Sequence, residues 1–333
     1  MRAPGFWERD GLAARALAPL GGITARLTAR RVARPGWRAP VPVFCCGNAS
    51  VGGTGKTTLV LDLLHRLDRL GAQPHALLRG YGGRAPGPLA VDPARHGAAL
   101  VGDEALLLAE AAPCWVARDR AAGARGAIAA GAGAIVMDDG LQNPSLIKDC
   151  SLLVIDGGVG FGNGRLLPAG PLRERVADAA ARCRAAVLIG ADRRGAASHL
   201  PPALPVLRAD LVQDVSGLTP GQPYFAFAGI GRPEKFFEGL RHAGITLAGR
   251  RAFADHHPYR AAELAALAEA ARAADARLLT TPKDFARLPE DARAGIAVAG
   301  VRLAWADAAE IETILRQTLQ HRADAGYPAG NPS

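Results

Sequence analysis

Lysine is nearly absent from this sequence. Of its 40 basic residues only four are lysines, Lys56, Lys148, Lys235 and Lys283. The formal net charge of +9 therefore comes almost entirely from arginine. A compositional bias towards arginine, alanine, glycine and proline explains this charge. An acidic partner explains it equally well, whether a nucleotide, a phosphorylated substrate, an anionic membrane or a nucleic acid.

The sequence also lacks the signs of export, of a membrane span and of a structural metal. Its five cysteines include no C-x-x-C pair, which indicates neither a zinc site nor a redox motif. No apolar run approaches the roughly 18 residues that cross a bilayer. Glu8, Arg9 and Asp10 stand where a secretory signal needs its apolar core. We therefore expect a cytoplasmic protein that does not span a membrane.

The 333 residues, 49% of them hydrophobic, suffice for two domains with sizeable cores. From residue 41 to about 212, apolar strand-like runs alternate with helical segments, which predicts a mostly parallel sheet covered on both faces, an α/β/α domain. The predicted boundaries are an N-terminal segment at 1–38, this domain at 39–212, a linker at 213–222, a second and smaller α/β domain at 223–322, and a frayed tail at 323–333.

One glycine-rich turn gives the clearest functional signal. It follows the apolar run 41–46 and precedes the helical run 59–70, and it ends in Gly-Lys-Thr. This is the pattern of a phosphate-binding loop, in which backbone N–H groups and a helix N-terminus surround a nucleotide's phosphates. The pattern wants glycine at position 50, where this chain has serine. The predicted nucleotide-binding residues are Asn48, Ser50, Val51, Gly52, Gly53, Thr54, Gly55, Lys56, Thr57 and Thr58.

Acidic residues follow the predicted strands at the edge where the loop lies. Asp138 and Asp139 close the fourth strand, and a carboxylate there is the expected Mg²⁺ anchor together with Thr57. Asp103 opens a predicted helix. It fits a helix N-cap, and beside a phosphate loop it is also a candidate base for a hydroxyl nucleophile.

Other segments border the same edge. Arg79 and Tyr81 lie in the turn after the second strand, and Arg120 follows the third. A glycine- and proline-rich stretch, residues 160–172, leads to Arg173 and Glu174. These five residues are candidate substrate contacts. In the second domain, Asp-His-His-Pro-Tyr at 255–259 follows a strand. A lone histidine is more often structural than catalytic, but this cluster makes the two interpretations about equal.

The N-terminal segment has its own character. Eight arginines face only Glu8 and Asp10 between residues 1 and 38, and apolar residues recur among them at loosely helical spacing. A basic amphipathic helix of this kind is typical of a membrane-surface element. A helix packed on the folded body with its arginines in water fits nearly as well. Because Pro19 and the pair Gly21-Gly22 interrupt the pattern, we do not expect one long helix.

Read together, these motifs resemble one family, the tetraacyldisaccharide 4′-kinases, which are the lipid A 4′-kinases of Gram-negative bacteria. The resemblance rests on G-N-x-x-V-G-G-T-G-K-T, R-G-Y-G, G-D-E-A, D-D-G-x-Q, G-N-G-R-L-L-P-A-G-P-L-R-E, F-A-G-I-G-R-P-E-K-F-F, F-A-D-H-H-x-Y and T-x-K-D, in that order between residues 41 and 288. It implies a fold of P-loop NTPase type with a second α/β unit. It also implies ATP and Mg²⁺ as cofactors, and phosphorylation of the 4′-hydroxyl of an acylated glucosamine disaccharide 1-phosphate at the cytoplasmic face of the inner membrane.

The resemblance also implies roles for residues. In the family the aspartate of G-D-E pairs with the first histidine of D-H-H and acts as general base; here these are Asp103 and His256. The choice of His256 over His257 rests on motif position alone. The family usually has phenylalanine and histidine where this chain has Leu141 and Asn143, so any part that histidine plays in nucleotide contact or metal ordering is weakened or moved here.

Three other functions share part of this pattern. A membrane-associated switch ATPase carries a second lysine just before the paired glycines of its loop, and Val51 stands there. A kinase or ligase of another small acceptor shares the loop, which does not identify the acceptor. Nucleic-acid binding rests on charge only, since no aromatic-interleaved basic platform is present. We expect neither nucleic acid nor an obligate protein as a partner.

Overall fold

The computed structural model describes residues 4–255 and 257–324. In these residues the chain forms a nine-stranded and a four-stranded sheet. The strands of the larger sheet are β1 (Val43–Gly47), β2 (Pro74–Leu78), β3 (Leu89–Ala90), β4 (Cys114–Val116), β5 (Ala134–Asp138), β6 (Cys150–Asp156), β7 (Ala185–Ile189), β8 (Val206–Asp214) and β13 (Gly300–Trp305). Those of the smaller sheet are β9 (Tyr224–Ala228), β10 (Leu247–Ala252), β11 (Arg277–Thr280) and β12 (Ala297–Val298).

Helices connect most of these strands. They are α1 (Leu12–Val32), α2 (Lys56–Arg69), α3 (Ala98–Val101), α4 (Asp103–Ala109), α5 (Arg120–Ala129), α6 (Val176–Ala180), α7 (Pro233–His242), α8 (Ala261–Ala273), α9 (Pro282–Arg287) and α10 (Ala308–Asp324). We call the four-stranded sheet with α7, α8 and α9 the smaller unit, and the rest the larger unit. The predicted α/β class with a mostly parallel sheet is confirmed.

The strand order of the larger sheet explains where a site can form. The order is β13-β8-β7-β6-β1-β5-β2-β4-β3, and every pair is parallel except β13–β8 and β3–β4. The chain leaves β1 for β2 on one side and later continues to β6 on the other. In such a sheet the strand order reverses at β1, and ligands bind beyond the carboxyl ends of the strands at that point. The phosphate loop follows β1 there.

Apolar burial holds the larger sheet between helices. Every residue of β1, β2 and β5 is buried, as strands covered on both faces require. α2 turns Leu59, Leu63 and Leu67 into the core, spaced at one helix turn. Cys45 and Cys46 are buried in β1, and burial raises the pKa of the Cys45 thiol to about 11. Such a thiol is inert, in agreement with the absence of a redox motif.

The structure differs from the predicted domain boundaries at the C-terminal end. The sequence predicts one second domain over 223–322. Instead β12 ends at Val298 in the smaller sheet, and after the buried Ala299 the chain enters β13 in the larger sheet. β13 can pair there because β8 extends to Asp214, into the segment predicted as a linker. α10 buries Ile311 and Leu315 in the same core cluster as α2. The segment 223–322 is therefore not one separate unit.

The N-terminal segment also differs from expectation, because α1 is one continuous helix with Pro19 inside it. Gly21 allows a close approach to the glycine- and proline-rich stretch: a Cβ added there would lie 3.1 Å from that of Leu166. Thr24 and Thr28 donate hydrogen bonds from the same face to the carbonyls of Leu167 and Arg173, at 2.6 and 3.2 Å. No helix within 4–255 and 257–324 is long and apolar enough to cross a membrane. Of the predicted tail, the residues from 325 onward lie outside the described part.

Candidate active site

The phosphate loop runs from Asn48 to Gly55, between the end of β1 and the start of α2. Gly55 has φ +83°, and a Cβ there would lie 2.8 Å from Cδ1 of Ile189, so this position requires glycine. Gly52 also has a positive φ, of +132°. Asn48 spans the loop, because its Nδ2 lies 3.5 Å from the carbonyl of Gly52 and 3.4 Å from Oγ1 of Thr54.

Ser50 departs from the sequence pattern without strain. Its backbone pairs with Leu172 in an isolated antiparallel bridge, and its φ is not positive. The flanking residues extend this contact: Val51 donates to the carbonyl of Pro171 at 2.8 Å, and Arg173 donates to that of Ala49 at 2.7 Å. The first half of the loop is therefore held by the glycine- and proline-rich stretch. Backbone freedom is needed further on, at Gly52 and Gly55.

The first residues of α2 face acidic side chains. Thr57 donates to Oδ2 of Asp138 at 3.1 Å, and its Oγ1 lies 3.4 Å from Oε1 of Glu104. Lys56 reaches back over the loop, with Nζ 3.5 Å from the carbonyl of Gly52 and 4.0 Å from Oδ1 of Asp139. The structure thus brings together the predicted phosphate-contacting lysine, the predicted hydroxyl ligand and both strand-end acids.

Asp138 and Asp139 point to different partners although they are adjacent. Asp138 is buried, and burial raises its pKa to about 7, with a further contribution from the charge of Glu104. Asp139 has φ +54° and accepts two hydrogen bonds of 3.0 Å from Nη1 of Arg173. A buried carboxyl whose ionisation is this unfavourable is relieved by a cation. Asp139 already has cationic neighbours in Arg173 and Lys56.

The donor set suits magnesium bound together with phosphates. Within the described ranges, no group of three or more His, Cys, Asp or Glu side chains is arranged to hold a metal ion alone. Mg²⁺ does not require such a cage, since it is usually held by one or two carboxylates, waters and the oxygens of a bound phosphate. The Thr57 hydroxyl and the Asp138 carboxyl provide that smaller set.

Arg120 is a buried cation at the edge of the site. It is 3% exposed, and its Nη1 donates to the carbonyl of Ala117. Its Nε has no hydrogen-bond partner among the described residues. Burial lowers the pKa of Arg120 to about 10, the charge of Arg79 lowers it further, and those of Asp139 and Asp138 raise it. A buried guanidinium with an unsatisfied N–H suits an incoming anion.

Two other predicted substrate contacts differ in exposure, since Tyr81 is exposed and Glu174 is buried. Tyr81 is 87% exposed and extends into solvent. Its loop nevertheless packs on the G-D-E motif, since a Cβ on Gly102 would lie 2.4 Å from the carbonyl oxygen of Tyr81. Glu174 is 4% exposed and is held by Arg182 and Gln142 rather than by the residues around Lys56. Gln142 also donates to the carbonyl of Asn48 at 2.8 Å, so Glu174 supports the loop from behind.

The two positions that depart from the family pattern have structural partners. Leu141 is buried against Gly47, where a Cβ would lie 2.6 Å from that of Leu141. Asn143 accepts hydrogen bonds from the amide and hydroxyl of Ser145, at 3.0 and 2.8 Å. Both side chains therefore shape the turn after β5.

Asp103 begins α4, as predicted, and its carboxylate is held from the smaller unit. Nε and Nη2 of Arg287 lie 3.0 and 2.5 Å from Oδ2 of Asp103. On the same helix, α9, Nζ of Lys283 lies 3.5 Å from Oε1 of Glu104. Sequence reasoning missed these cross-unit contacts. The T-x-K-D motif indicated that this segment matters, but nothing in it singled out Arg287.

The predicted histidine partner, His256, lies outside the described residues. The neighbouring His257 has partners of its own: its Nε2 lies 3.0 Å from Oε2 of Glu263, and its ring stacks near Phe253 with centroids 4.8 Å apart. Tyr259 of the same cluster donates to Oδ1 of Asp284 at 2.9 Å. His257 therefore belongs to the packing of its loop.

Known proteins are similar to this chain over nearly its whole length. The family model described as tetraacyldisaccharide-1-P 4′-kinase (LpxK) matches residues 13–320. The tetraacyldisaccharide 4′-kinase of Gluconacetobacter diazotrophicus is 60% identical over 322 residues, 96% of this chain and 98% of that protein. That of Rhodospirillum centenum is 53% identical over 335 residues, 98% of this chain and 99% of that protein.

A solved structure is similar in fold. It is described as the "apo" form of LpxK from Aquifex aeolicus in complex with ATP, and it matches with a TM-score of 0.73 at 22% identity, covering 92% of this chain and 100% of that one. At that identity the likeness concerns the fold. The family model and both relatives extend over nearly the whole chain, which confirms the resemblance seen in the motifs. The chain therefore belongs to the tetraacyldisaccharide-1-P 4′-kinase family, and it is a kinase.

Proposed function

We propose that this chain transfers the γ-phosphate of ATP to the 4′-hydroxyl of a tetraacyldisaccharide 1-phosphate. The names of its relatives supply the acceptor. The observation that carries the proposal is the position of Thr57, whose hydroxyl lies 3.1 Å from Asp138 and 3.4 Å from Glu104. This contact joins the end of the phosphate loop to the start of α4, where the candidate base Asp103 adjoins Glu104.

The residues around Lys56 suit the nucleotide. Lys56 and the loop amides would hold the terminal phosphates, and Thr57 with Asp138 would hold Mg²⁺. Magnesium, when bound, neutralises charge on the phosphate oxygens. Arg120 offers an unsatisfied buried N–H, and Arg173 lies beside Asp139 at the mouth of the loop. Phosphoryl transfer depends mainly on positioning and neutralising charge, and this set of cations meets both needs.

Asp103 would complete the reaction by taking a proton. The 4′-oxygen attacks the γ-phosphorus, the bond from phosphorus to the β,γ-bridging oxygen breaks, and ADP leaves with that electron pair. The hydroxyl proton passes to the carboxylate of Asp103, in the role that a catalytic-loop aspartate has in protein kinases. The phosphorylated disaccharide then dissociates, and Asp103 returns its proton to solvent.

The acyl chains of such a substrate lie in a membrane, and α1 suits contact with its surface. One face of α1 is docked on the body through Thr24 and Thr28, while Leu20, Ile23 and Leu27 are exposed on another. Exposed arginines flank these apolar side chains, a combination suited to an anionic lipid surface. We infer peripheral attachment at the cytoplasmic face of the inner membrane, which agrees with the absence of a spanning helix among the described residues.

Phosphate transfer from radiolabelled ATP tests the proposal directly. The full chain is assayed in detergent micelles with the acylated disaccharide 1-phosphate, with the same lipid lacking its 4′-hydroxyl, and with anionic phospholipid alone. We expect labelled product only with the first. ATP turnover stimulated by phospholipid alone would instead indicate a switch ATPase, and labelling of an unrelated small acceptor would indicate a different kinase.

A second assay tests the membrane contact. Replacing Ile23 and Leu27 by aspartate removes apolar area, and we expect at least about tenfold weaker binding to anionic vesicles, since burying one such side chain contributes roughly 1.5–3 kcal/mol. Val301→Asp is the matched control, because Val301 is an exposed apolar residue on β13. Equal binding by both variants would contradict the role of α1.

A further inference from the structure

Arg287 forms a contact between the two units. It is the last residue of α9, and its side chain is only 7% exposed. Nε and Nη2 bind Oδ2 of Asp103, at 3.0 and 2.5 Å, while Nη1 donates to the carbonyl of Gly229 and to Oδ1 of Asp284, at 3.0 and 3.1 Å. One guanidinium therefore ties the first residue of α4 to the interior of the smaller unit.

Asp284, the residue behind Arg287, is itself rigidly held. It is fully buried, and it accepts hydrogen bonds from the hydroxyls of Tyr259 and Thr281 and from the amide of Gly229, at 2.9, 2.7 and 3.1 Å. A Cβ on Gly229 would lie 3.0 Å from the Tyr259 hydroxyl and 3.1 Å from Oδ1 of Asp284, so the network leaves no room for a side chain at this position. Residues of the D-H-H-P-Y and T-x-K-D segments thus share one hydrogen-bond network, and Arg287 connects this network to α4.

The charges in this network favour a permanent cation. Burial lowers the pKa of Arg287, but its hydrogen bond to Asp103 and the charges of Asp103 and Asp284 raise it, and the balance lies above the ordinary value. The guanidinium is therefore ionised at every working pH. Nε and Nη2 of Arg287 both bind Oδ2 of Asp103, which anchors this carboxylate oxygen at the start of α4.

We propose that Arg287 is a positioning residue for phosphate transfer, which holds the Asp103 carboxylate in the orientation that accepts the proton of the acceptor hydroxyl. The inference rests on the proposed role of Asp103 as base. It also gives the smaller unit a defined task, because the cation that orients the base comes from that unit. Proton transfer then requires α9 to lie against α4.

Kinetics of single and double variants test this role in the full chain. R287Q removes the cation and R287K keeps a charge without the fork of donors. We expect R287Q to lower kcat about 10²-fold, the cost of a misplaced catalytic group, with the KM for ATP within about threefold. R287K should fall between R287Q and the parent. R293Q is the matched control: Arg293 binds the carbonyls of Leu288 and Ala286 in the same segment, and its charge acts on Glu110, which follows the C-terminal end of α4, seven residues from Asp103.

The double variant separates positioning from other roles. If Arg287 acts through Asp103, adding R287K or R287Q to D103N lowers kcat no further than D103N alone. Losses that multiply, or a kcat of both single variants within about threefold of the parent, would overturn the proposal. Thermal unfolding shows which variants fold. If R287Q does not fold, the kinetics of R287K alone test the proposal. An unchanged kcat for D103N would instead overturn the proposed base, a separate result.

Discussion

Two carboxylates near the phosphate loop have opposite surroundings. Asp138 closes the buried strand β5, its nearest partner is the neutral hydroxyl of Thr57, and burial raises its pKa to about 7. Asp103 begins α4 and is bound by a guanidinium that belongs to the other unit. The first carboxyl forms no ion pair among the described residues, and only the more distant charge of Lys56 lowers its pKa, whereas the second is bound directly by a cation.

This difference assigns different work to the two acids. A carboxyl whose ionisation is opposed by burial and by a neighbouring acid gains most from an incoming metal ion. A carboxylate that is already bound by a guanidinium needs no metal ion to compensate its charge, and in the proposed role it accepts a proton from a hydroxyl. In the proposed mechanism the site therefore separates charge neutralisation, at the end of the sheet, from proton transfer, at the contact between units.

The largest expected effect comes from the proton-transfer side. Asp103→Asn keeps the shape of the side chain and removes its basicity, and we expect kcat to fall about 10²–10⁴-fold while the dissociation constant for ATP changes less than about threefold. Steady-state kinetics with the acylated disaccharide and equilibrium binding of ATP provide the two numbers.

Asp307→Asn is the control for this substitution. Asp307 lies directly before α10 and caps it, since its Oδ1 accepts from the amide of Ala309 at 2.8 Å. Asp103 is instead the first residue of α4, whose N-cap is Gly102. Asparagine caps a helix as well as aspartate does, so this variant should keep the parent's kcat. A similar loss in both variants would show that the effect is one of folding, and the contrast between the two acids would fail.

The next effect concerns stability on the metal side. Because the pKa of Asp138 is raised to about 7, the folded chain keeps a proton there that the unfolded chain releases above about pH 4. The free energy of unfolding should therefore fall as the pH rises towards 7 and then level off. Asp138→Asn has no titrating carboxyl at this position, so its stability lacks this pH dependence. In metal-free buffer, we expect the free energy of unfolding of the variant, relative to that of the parent, to increase by roughly 2 kcal/mol between about pH 5 and 7.

Urea denaturation at a series of pH values measures this gain. Mg²⁺ with a non-hydrolysable ATP analogue should reduce it, because a cation favours the ionised carboxyl. Parallel profiles of unfolding free energy against pH for the parent and Asp138→Asn would mean that the pKa of Asp138 is not raised. The proposed assignment of metal binding to Asp138 and proton transfer to Asp103 would then lose its basis.

The same contrast explains what could be predicted from the sequence. The loop, Thr57 and Asp138 follow from short motifs and from strand alternation, because parallel strands bring their carboxyl ends to one edge. The contact of Asp103 with Arg287 joins residues 184 apart in the chain and depends on how two units pack. No local pattern encodes that packing. The predicted end of the first domain at 212 was wrong for a related reason, since β8 continues to Asp214 and pairs there with β13 from the far end of the chain.

The smallest expected effect lies within the loop itself. Ser50 departs from the motif, but its extended backbone pairs with Leu172 and does not need the freedom of glycine. Ser50→Gly should therefore leave kcat/KM within about twofold and lower stability by roughly 0.4–1 kcal/mol, because glycine increases the conformational freedom of the unfolded chain.

Gly55→Ala is the matched opposite, because Gly55 has φ +83° and a Cβ there would meet Ile189 at 2.8 Å. Here we expect at least about tenfold lower kcat/KM, since a left-handed conformation costs a non-glycine residue about 1–2 kcal/mol before any clash with Ile189 is relieved. Comparable losses in the two variants would mean that the loop needs glycine at position 50 after all. The bridge to Leu172 would then not be what holds the first half of the loop in place.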